Sequence, residues 1–373
     1  MELQFSVERE QIFPLLSALQ PLVSKRTTVD ATSHIFLHVG NRELVVKGTD
    51  LEVSLQASCT INDCSCQTGE SFLVSGRRIF DIVKELEGMV TCRIDANQLV
   101  LQTQDIDLRL AIKGTEEFPP FPERIENLTH IEAQDLLALL EKVAFLIPQS
   151  NSNAALNGLF VEVGPTGLVM TATDGHSLVQ VKSSKYTLEN QRNWLIPRRA
   201  VFELKKLVEN SGDATVFLGT CDGHLVFSGE LFNFFTRLIA QPFPEYRPVL
   251  EREGFVQGTV ERQHFIKTLK RSTCLLSGQF LATRFLFNKD ALQVTFSNKG
   301  VGTLDERLAL SSFAGEELDI RFYAPYLLEG LQAFGEDKIL FHLKNSSKPI
   351  IFESNSDTSS LLYLVMPVSP TAR

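Results

Sequence analysis

Hydrophobic and polar residues follow one another along the chain in an order that returns three times. In each copy, a strand-type segment of alternating apolar residues leads into a helix-type segment, where apolar residues recur every three or four positions. Two or three strands rich in Val, Leu and Phe follow, then a second helix, and two further strands close the copy. The predicted helices span about 8–19, 76–86, 133–145, 197–208, 262–275 and 325–334. Each copy is therefore predicted to be α+β, with two helices covering small antiparallel sheets.

The three copies are also visible in the residue identities. The segment FLHVG at 36–40 returns as FVEVG at 160–164, an offset of 160 − 36 = 124, and VEREQI at 7–12 returns as VERQHF at 260–265. Since a third of 373 residues is about 124, one domain-sized unit tiles the chain, and each copy is long enough to bury its own core. We predict domains at 1–125, 126–252 and 253–373.

Prolines agree with this division. Pro14 lies near the start of the first predicted helix, and Pro197 and Pro325 lie at the first turns of the second helices in copies two and three, where a missing N–H is tolerated. The segments FPPFP at 118–122 and PFP at 242–244 lie near the ends of copies one and two, so we expect the linkers directly after them.

Composition limits the class of protein. Apolar residues make up 43% and charged residues 22%, near the averages for globular proteins, and the N-terminus shows no basic segment followed by an apolar run. No apolar stretch approaches the roughly 18 residues of a membrane span. Six cysteines are too few for a disulfide scaffold, and Cys59, Cys64 and Cys66 lack a second ligand pair at zinc spacing. We expect a cytoplasmic protein with free thiols, no metal and no cofactor.

The charged residues are unevenly distributed. The net charge of −9 on its own argues against a nucleic-acid-binding protein. However, Arg77 and Lys84 lie seven residues apart on one face of a predicted second helix, and Arg199 and Lys206 occupy the equivalent positions in copy two. These cations are either ordinary solvated helix faces or part of a basic lining that contacts phosphates without reading sequence.

Copy three departs from this pattern. Its second helix has Pro325 and Gln332 at the equivalent positions, and its first helix instead carries Lys267, Lys270 and Arg271 on one face. A basic lining would therefore use different helices in different copies.

Four short motifs carry a family resemblance. They are LNG at 156–158, TDGH at 173–176, FPEYR at 243–247 and YLVMP at 363–367. Together with the threefold repeat, they make the chain resemble the bacterial DNA sliding clamps, the beta subunits of DNA polymerase III, over essentially its full length. The resemblance implies a head-to-tail homodimer whose six domains form a ring, with sheets outside and helices lining a hole for duplex DNA. Such a ring does no chemistry and serves as a processivity factor, because it tethers the polymerase to its template.

The resemblance also implies that the basic helix faces point at the DNA. Weak and mobile phosphate contacts suit such a lining, because tight contacts would hinder sliding. The residues assigned to it are Lys25, Arg26, Arg77, Lys84, Arg198, Arg199, Lys205, Lys206, Lys267, Lys270 and Arg271.

A docking pocket is the second function that the resemblance implies. It would bind short peptides, often similar to Gln-Leu-x-Leu-Phe, from the replicative polymerase subunit, the clamp loader, other polymerases and repair proteins. Apolar walls and a methionine suit the burial of Leu and aromatic anchors. The residues assigned to it are Leu156, Thr173, Gly175, His176, Leu178, Pro244, Val249, Tyr323, Tyr326, Leu364, Met366, Pro367 and Val368. A structural explanation also exists, in which the LVMP segment is only a last strand and His176 only a turn residue.

This chain departs from the family pattern at the pocket. Ser177 stands where the family often carries Arg, and Pro248 stands where many members carry Arg or Lys. Two cations typical of the pocket rim in the family are therefore absent, which bears on how the pocket treats acidic or Gln-flanked peptides. The chain also continues past Val368 for five residues, which is longer than the ending typical of many members.

For the dimer contact, the family pairs edge strands of the first and third domains, which satisfies their free backbone groups. The resemblance places this contact near 105–110 on one side and at 275–276 with 298–307 on the other. We expect charge matching between Asp105 and Asp107 and the cations opposite. The residues assigned to the contact are Asp105, Asp107, Leu108, Leu110, Leu275, Leu276, Lys299 and Arg307.

Two alternatives remain in view. The first is an enzyme that uses Asp174 and His176 as an acid–base pair, but the sequence offers no matching nucleophile or metal and no Gly-x4-Gly-Lys-Ser/Thr loop. The second is a clamp paralogue with the same ring and altered partner specificity, which Ser177 and Pro248 favour.

Overall fold

The structure, a computed structural model, contains two units. It describes residues 3–23, 29–65, 69–122, 124–277 and 280–368. Unit 1 contains Met1–Asp135 and Phe202–Leu238, and unit 2 contains Leu136–Val201 and Ile239–Arg373. Each unit is built on one twelve-stranded sheet in which the described strand pairs are antiparallel.

The described residues form strands that alternate with helices in the same order in each copy. The strands are β1 (Gln4–Glu8), β2 (His34–Val39), β3 (Glu43–Thr49), β4 (Val53–Thr60), β5 (Glu70–Ser75), β6 (Met89–Asp95), β7 (Gln98–Gln102), β8 (Asp107–Lys113), β9 (Glu126–Glu132), β10 (Gly158–Gly164), β11 (Gly167–Thr173), β12 (Ser177–Ser183), β13 (Arg192–Pro197), β14 (Thr215–Cys221), β15 (His224–Ser228), β16 (Phe232–Arg237), β17 (Val256–Glu261), β18 (Thr283–Phe287), β19 (Ala291–Asn298), β20 (Gly302–Phe313), β21 (Leu318–Phe322), β22 (Lys338–Leu343), β23 (Ile350–Asn355) and β24 (Ser359–Val365).

The helices confirm the prediction of two per copy. They are α1 (Arg9–Val23), α2 (Gly76–Lys84), α3 (Ala133–Ala144), α4 (Arg198–Ser211), α5 (Arg262–Cys274) and α6 (Ala324–Gln332). Short 3-10 helices cover Asp30–Ser33, Ala154–Asn157 and Arg247–Leu250. None of the described helices is both long enough and apolar enough to cross a membrane.

The predicted strand number was too low. Four strands follow each first helix and three follow each second helix, because the strand before the second helix runs into it without a turn, as β5 runs into α2 at Ser75 and Gly76. The prediction that Pro197 starts a helix was also wrong, since Pro197 ends β13 and α4 begins at the next residue, whereas Pro325 does lie in the first turn of α6.

The first helix is longer than predicted. α1 continues through Pro21 to Val23 and holds Pro14 in its interior. A Cβ atom at Gly48 would lie 2.8 Å from Leu19 Cδ2 and 3.1 Å from Val23 Cγ1, so this glycine lets the last turns of α1 pack directly on β3. We attribute the extension to this burial, which compensates for the two backbone donors that the prolines lack.

The sheets join neighbouring copies. The sheet of unit 1 has the order β1-β6-β7-β8-β5-β2-β3-β4-β16-β15-β14-β9, and that of unit 2 has the order β13-β10-β11-β12-β24-β23-β22-β17-β20-β19-β18-β21. Copy one meets copy two where β4 pairs with β16, and copy two meets copy three where β12 pairs with β24. The predicted antiparallel sheets therefore extend across the boundaries between copies, because copy two gives strands to both sheets. We call these two strand pairs the seams.

Candidate functional site

A tight turn between β11 and β12 presents His176 to solvent. The Asp174 Oδ1 atom accepts hydrogen bonds from the backbone N–H groups of His176 at 2.8 Å and of Ser177 at 2.7 Å. Thr173 Oγ1 donates to the Ser177 carbonyl at 2.6 Å and accepts from the Gly175 N–H at 3.1 Å. Gly175 has φ +93°, which a side chain rarely adopts. The turn is therefore fixed by its own polar groups, as its Asp-Gly sequence predicts.

Copy one contains the same turn between β3 and β4. Asp50 Oδ1 accepts hydrogen bonds from the N–H groups of Glu52 at 3.1 Å and Val53 at 2.8 Å. Leu51 takes the position of the glycine and has φ +76°. The repeat therefore extends to individual hydrogen bonds, while the exposed side chain of the turn differs between the copies.

A row of aromatic rings extends from this turn across α6. The His176 ring stacks on Tyr326 at 5.8 Å between centroids, Tyr326 meets Tyr323 edge to face at 5.0 Å, and Tyr323 stacks on Phe280 at 4.4 Å. Burial, followed by the nearby Asp174 carboxylate, raises the pKa of Tyr326. The Phe280 side chain is 56% exposed, so the row ends in an open apolar face. Sequence reasoning missed Phe280, because a single aromatic residue in a loop carries no pattern.

The seam of unit 2 supplies the apolar floor beside this row. Leu178 of β12 lies opposite Leu364 of β24, and both are buried. The Met366 N–H donates to the His176 carbonyl at 2.9 Å, and the Tyr363 hydroxyl donates to the Tyr326 carbonyl at 2.8 Å. The last strand, the turn and α6 therefore hold one another, and Met366 stays 38% exposed at the surface they form.

Residues 239–255, which we call the linker, carry two further predicted pocket residues, Pro244 and Val249. A buried polar group holds their segment. The Tyr246 hydroxyl donates to Glu162 Oε2 at 2.6 Å and accepts from Gln180 Nε2 at 3.2 Å, and Arg247 donates to Glu162 Oε1 at 2.8 Å. Burial, followed by the Glu162 carboxylate, raises the pKa of Tyr246.

Apolar contacts and a second carboxylate also hold the linker. The Phe243 ring stacks on Phe160 at 4.8 Å, directly beside Tyr246. Near the other end, Arg252 forms an ion pair with Glu353 of β23, whose Oε1 atom lies 2.8 Å from His342 Nε2. A buried glutamate from copy two and a half-buried glutamate from copy three thus fix the linker on either side of Val249.

The structure links some of the predicted pocket residues to one another through more contacts than others. Hydrogen bonds, ring contacts or strand pairing connect those of the turn, α6 and the last strand: Thr173, Gly175, His176, Leu178, Tyr323, Tyr326, Leu364 and Met366. Leu156 is buried and is the nearest side chain to Gly175, with its Cδ1 atom 3.9 Å from a Cβ built there. The Val368 N–H donates to the Arg321 carbonyl, and Pro367 is half-buried. Pro244 is half-buried and Val249 is exposed on the linker.

The two departures from the family pattern have different environments. Ser177 is 1% exposed and lies opposite Val365 in the seam, so it presents no side chain to the surface. Pro248 is exposed in the 3-10 helix of the linker. The C-terminal extension at 369–373 lies outside the described residues.

The predicted DNA-facing cations of α2 are exposed but have neighbouring acids. The side chain of Arg77 is 78% exposed and lies 3.7 Å from Asp81, and that of Lys84 is 59% exposed and lies 4.0 Å from Glu85. Such exposed pairs exchange readily for phosphate contacts, because each contributes little. Lys25 and Arg26 lie outside the described residues.

In α4 the predicted cations are less free. Arg198 Nε donates to the Ile147 carbonyl at 2.9 Å, and Lys205 lies 3.5 Å from Glu209. Arg199 is half-buried, and Lys206 is exposed at the edge of a cavity described below. Only part of this helix face is therefore open to a phosphate.

In α5, Lys267 and Lys270 are exposed, but Arg271 is engaged by a neighbouring strand. Arg271 Nε donates to Glu306 Oε2 at 2.9 Å, and Thr268 Oγ1 donates to the other oxygen. These contacts, with Arg271 first, lower the pKa of Glu306. The assignment of Arg271 to the DNA-facing set overlooked this partner, because Glu306 lies 35 residues away in the sequence.

Each of the two segments predicted to join the protomers contains part of a strand that, among the described strands, is paired along one edge only. Residues Asp107 to Ala111 of β8 pair with β7 along one edge, and only Ile112 and Lys113 pair with β5 along the other. Among the described strands, the first five residues of β8 therefore have one unpaired edge. β20 pairs with β19 from Gly302 to Ala309 and turns to β17 only after that. In both parts, exposed positions alternate with more buried ones, as in a strand with one face covered.

Side chains around these edges are mostly exposed. Asp105, Lys299 and Arg307 are exposed, and Leu108, Leu110, Leu275 and Leu276 are half-buried. Asp107 lies 3.5 Å from Arg109 and accepts a hydrogen bond from Gln102 at 2.8 Å, so it already has partners within its own unit. Ile106 is 40% exposed in the turn before β8; it lies in the predicted segment but was not singled out.

The cysteines and the Asp174–His176 pair were the candidates for metal binding and catalysis. Within the described parts of the chain, no group of three or more His, Cys, Asp or Glu side chains is placed to hold a metal ion. Burial raises the pKa of the Cys59 thiol to about 12 and gives Cys92 the same value. Cys64 donates to the Gly40 carbonyl, and Cys66 lies outside the described residues. The Asp174 carboxylate accepts hydrogen bonds from the backbone of its own turn. These bonds fix the position of His176 in the turn and do not pair the carboxylate with the His176 ring as an acid–base pair.

Comparisons with known proteins agree along the whole chain. Models of the DNA polymerase III beta subunit match in succession: the N-terminal domain at residues 3–122, the central domain at 130–245 and the C-terminal domain at 248–369. The beta sliding clamp of Pseudomonas aeruginosa is 27% identical, over 98% of this chain and 100% of its own length.

Solved structures give the same result. The crystal structure of the DNA polymerase III subunit beta from Pseudomonas aeruginosa has a TM-score of 0.89 at 25% identity, covering 98% of this chain and 100% of that one. A sliding clamp from Bartonella birtlesii, solved bound to griselimycin, has a TM-score of 0.89 at 25% identity, covering 99% of this chain and 100% of that one. Three consecutive clamp domains therefore account for the two sheets, each of which contains strands from two neighbouring copies.

Proposed function

This chain belongs to the DNA polymerase III beta subunit family and is a processivity clamp by that membership, and we propose that two copies close head to tail into a six-domain ring around duplex DNA. The ring tethers the replicative polymerase without catalysing a reaction itself. It works in the cytoplasm and needs no cofactor. We retain 1–125, 126–252 and 253–373 as the proposed domain boundaries.

The ring proposal rests on two strands that, among the described strands, each have an edge unpaired over part of their length. β8 belongs to unit 1 and β20 to unit 2, and each has an edge with unpaired backbone groups among the described strands. Two different edges make a head-to-tail contact, which is a heterologous interface and closes when its rotation fits. Pairing β8 of one protomer with β20 of its partner would satisfy both edges at once.

Charge can add selectivity to this pairing. Asp105 before β8 and Lys299 and Arg307 around β20 are exposed and of opposite sign. We propose that they face one another across the two contacts of the ring. Exposed pairs of this kind contribute up to about 1 kcal/mol each and weaken with salt.

Sequence-independent contacts with DNA are the second part of the proposal. The exposed cations Arg77, Lys84, Lys267 and Lys270 would meet phosphates, while the net charge of −9 keeps the rest of the surface from binding DNA. Affinity for DNA would then come mainly from the closed ring, and the cations would position the duplex.

Peptide docking is the third part. The aromatic row, the seam and the linker offer an apolar surface with a few fixed polar groups, which suits a peptide with Leu and Phe anchors. His176, Tyr326 and Met366 would contact these anchors. The replicative polymerase, the clamp loader, other polymerases and repair proteins would compete for this surface.

Loading on circular and linear DNA tests the function. The protein is loaded with its clamp loader onto a nicked circular plasmid, and half of the complex is then cut with a restriction enzyme. We expect the protein to stay on the circle in high salt and to leave the linear molecule, because only a closed ring is held by topology. Equal release from both molecules would overturn the proposal.

A charge reversal tests the dimer contact. We expect Asp105→Lys/Asp107→Lys to weaken the dimer about tenfold or more at low salt, measured by analytical ultracentrifugation, and to lose this effect as salt rises. Asp222→Lys/Glu230→Lys makes the same charge change at exposed positions far along the chain, and should leave the dimer intact. A dimer equally tight in both variants would contradict the proposed charge matching.

A clamp paralogue with altered partner specificity is the second candidate, and the exposed Pro248 favours it. A Gln-Leu-x-Leu-Phe peptide distinguishes the two. An ordinary clamp should bind it with a Kd of roughly 1 μM, about −8 kcal/mol. Binding weaker than about 1 mM with an intact dimer would favour the paralogue.

A further inference from the structure

Unit 1 contains a large cavity outside the docking surface. Its volume is about 630 Å³, and it lies between α1 and α4 over the seam of β4 and β16. Small-molecule sites typically have about 300–1,000 Å³. Thirteen of its twenty-two lining residues are apolar, including Ala18, Leu22, Leu55, Leu207 and Phe234. We call it the α1–α4 cavity.

The internal repeat explains why this place is open. α1 and α3 start 133 − 9 = 124 residues apart, so Pro21 of α1 corresponds to Phe145, the residue directly after α3. The seam strands β4 and β12 start 177 − 53 = 124 residues apart, and their registers place Phe234 of β16 where β24 has Tyr363.

In unit 2 this place is filled. The Phe145 ring lies 6.0 Å from the Tyr363 ring, over the seam. In unit 1 Pro21 and Phe234 instead line the open cavity. A proline in place of a phenylalanine removes the ring that covers the seam, so the cavity follows from a difference between the copies and not from the fold itself.

Polar groups along one wall give the cavity a chemical preference. Glu203 and Asn210 come from α4, and Asp213 follows it, while Lys206 is the only cation among the described lining residues. Asp213 Oδ2 is buried and accepts no hydrogen bond from any described residue. A buried carboxylate oxygen without a donor is unfavourable; because Oδ2 has almost no accessible surface, a bound cation would stabilise this carboxylate through its charge and not through a direct hydrogen bond to Oδ2.

We propose that the α1–α4 cavity binds a small apolar molecule that carries one cationic amine. The apolar part occupies the space that Phe145 fills in unit 2, and the ammonium group lies at the wall formed by Glu203 and Asp213. This site is independent of the docking surface, since all residues that line it belong to unit 1.

Three matched probes test the amine preference on the full-length protein. They are 4-phenylbutylamine, 4-phenylbutanol and 4-phenylbutyrate, titrated by ligand-observed NMR. We expect the amine to bind about fivefold more tightly than the alcohol and about tenfold or more tightly than the carboxylate, since only the amine gains a charge pair. No binding by any probe, or a preference for the carboxylate, would overturn the proposal.

Variants then locate the site. Pro21→Phe supplies the ring that unit 2 has, and should weaken all three probes about tenfold or more. Asp213→Asn should remove only the preference for the amine over the alcohol. Glu209→Gln removes a charge from α4 outside the cavity and should change neither quantity.

Controls keep these outcomes interpretable. If thermal melting shows that Pro21→Phe is misfolded, Ala57→Leu fills the same cavity from β4 and takes its place. Unchanged probe affinity in the filled variant would overturn the assigned location. Binding of the Gln-Leu-x-Leu-Phe peptide, measured in parallel, reports on the docking surface, so failure of one proposal is distinguishable from failure of the other.

Discussion

Glu162→Gln should loosen the linker that carries Pro244 and Val249. The Glu162 side chain is 10% exposed and accepts hydrogen bonds from Tyr246 at 2.6 Å and Arg247 at 2.8 Å. Glutamine preserves the shape and an acceptor for the tyrosine, but it removes the negative charge from both contacts.

The size of the effect follows from these contacts. A hydrogen bond to a charged group contributes about 1.5–3 kcal/mol, of which a neutral acceptor retains about half. The Arg247 side chain is 69% exposed, so its ion pair with Glu162 contributes no more than about 1 kcal/mol. We therefore expect the free energy of local opening of the linker to fall by about 2 kcal/mol, which corresponds to about thirtyfold faster amide exchange.

Hydrogen exchange with mass spectrometry measures this change on peptides covering 243–250. Glu189→Gln makes the same substitution at an exposed position in copy two and serves as the control. The affinity for the Gln-Leu-x-Leu-Phe peptide should fall severalfold in Glu162→Gln, because the linker wall becomes mobile. Exchange equal to that of the control variant would refute the role of Glu162.

Further changes test the turn and the charged helix faces. Gly175→Ala places a side chain at φ +93° and should lower the free energy of unfolding by about 1 kcal/mol in urea denaturation, whereas Gly40→Ala, which meets only an ordinary contact at 3.5 Å, should change it by less than about 0.5 kcal/mol. Lys270→Ala should lower the salt dependence of binding to a short duplex by about one phosphate contact, measured by fluorescence anisotropy. Arg271→Ala should lower this salt dependence less, because Glu306 already pairs with that arginine. Equal losses in the two variants would contradict this reasoning. The pKa of Glu306 in the folded protein is lowered from 4.5, so its contribution to the free energy of unfolding is present above pH 4.5 and is lost as pH falls through the folded pKa. Glu306→Gln should therefore lower the free energy of unfolding by about 1 kcal/mol at pH 7. A loss of the same size in acid would argue against the ion pair.

Much of the fold was predictable because its signals are local. Helix spacing identified six helices, and the offset of 124 residues identified the copies. The joining of the copies into two sheets had no local signal, because β4 and β16 pair across more than 170 residues of sequence. The end of α1 was missed for a similar reason, since the contact of Leu19 and Val23 with Gly48 decides it.

The candidate site divides in the same way. The turn around Asp174 was predictable, because its hydrogen bonds join neighbours in sequence. Glu162 was not, because it occupies a strand position like any other and is buried by Tyr246, which lies 84 residues away. The pairing of Arg271 with Glu306 was missed for the same reason, so charge patterns overestimated how many cations are free.

The seam between β4 and β16 has a consequence for how the protein is made. β4 is complete at Thr60, but its partner begins at Phe232, which the ribosome adds about 170 residues later. At about 5–20 residues per second, the outer edge of β4 stays without its neighbour for roughly 10–35 seconds. During that interval the nascent chain presents an incomplete sheet to every other nascent chain nearby. Ribosome-bound chains that end before Phe232 should therefore recruit chaperones more strongly than chains that extend past Arg237.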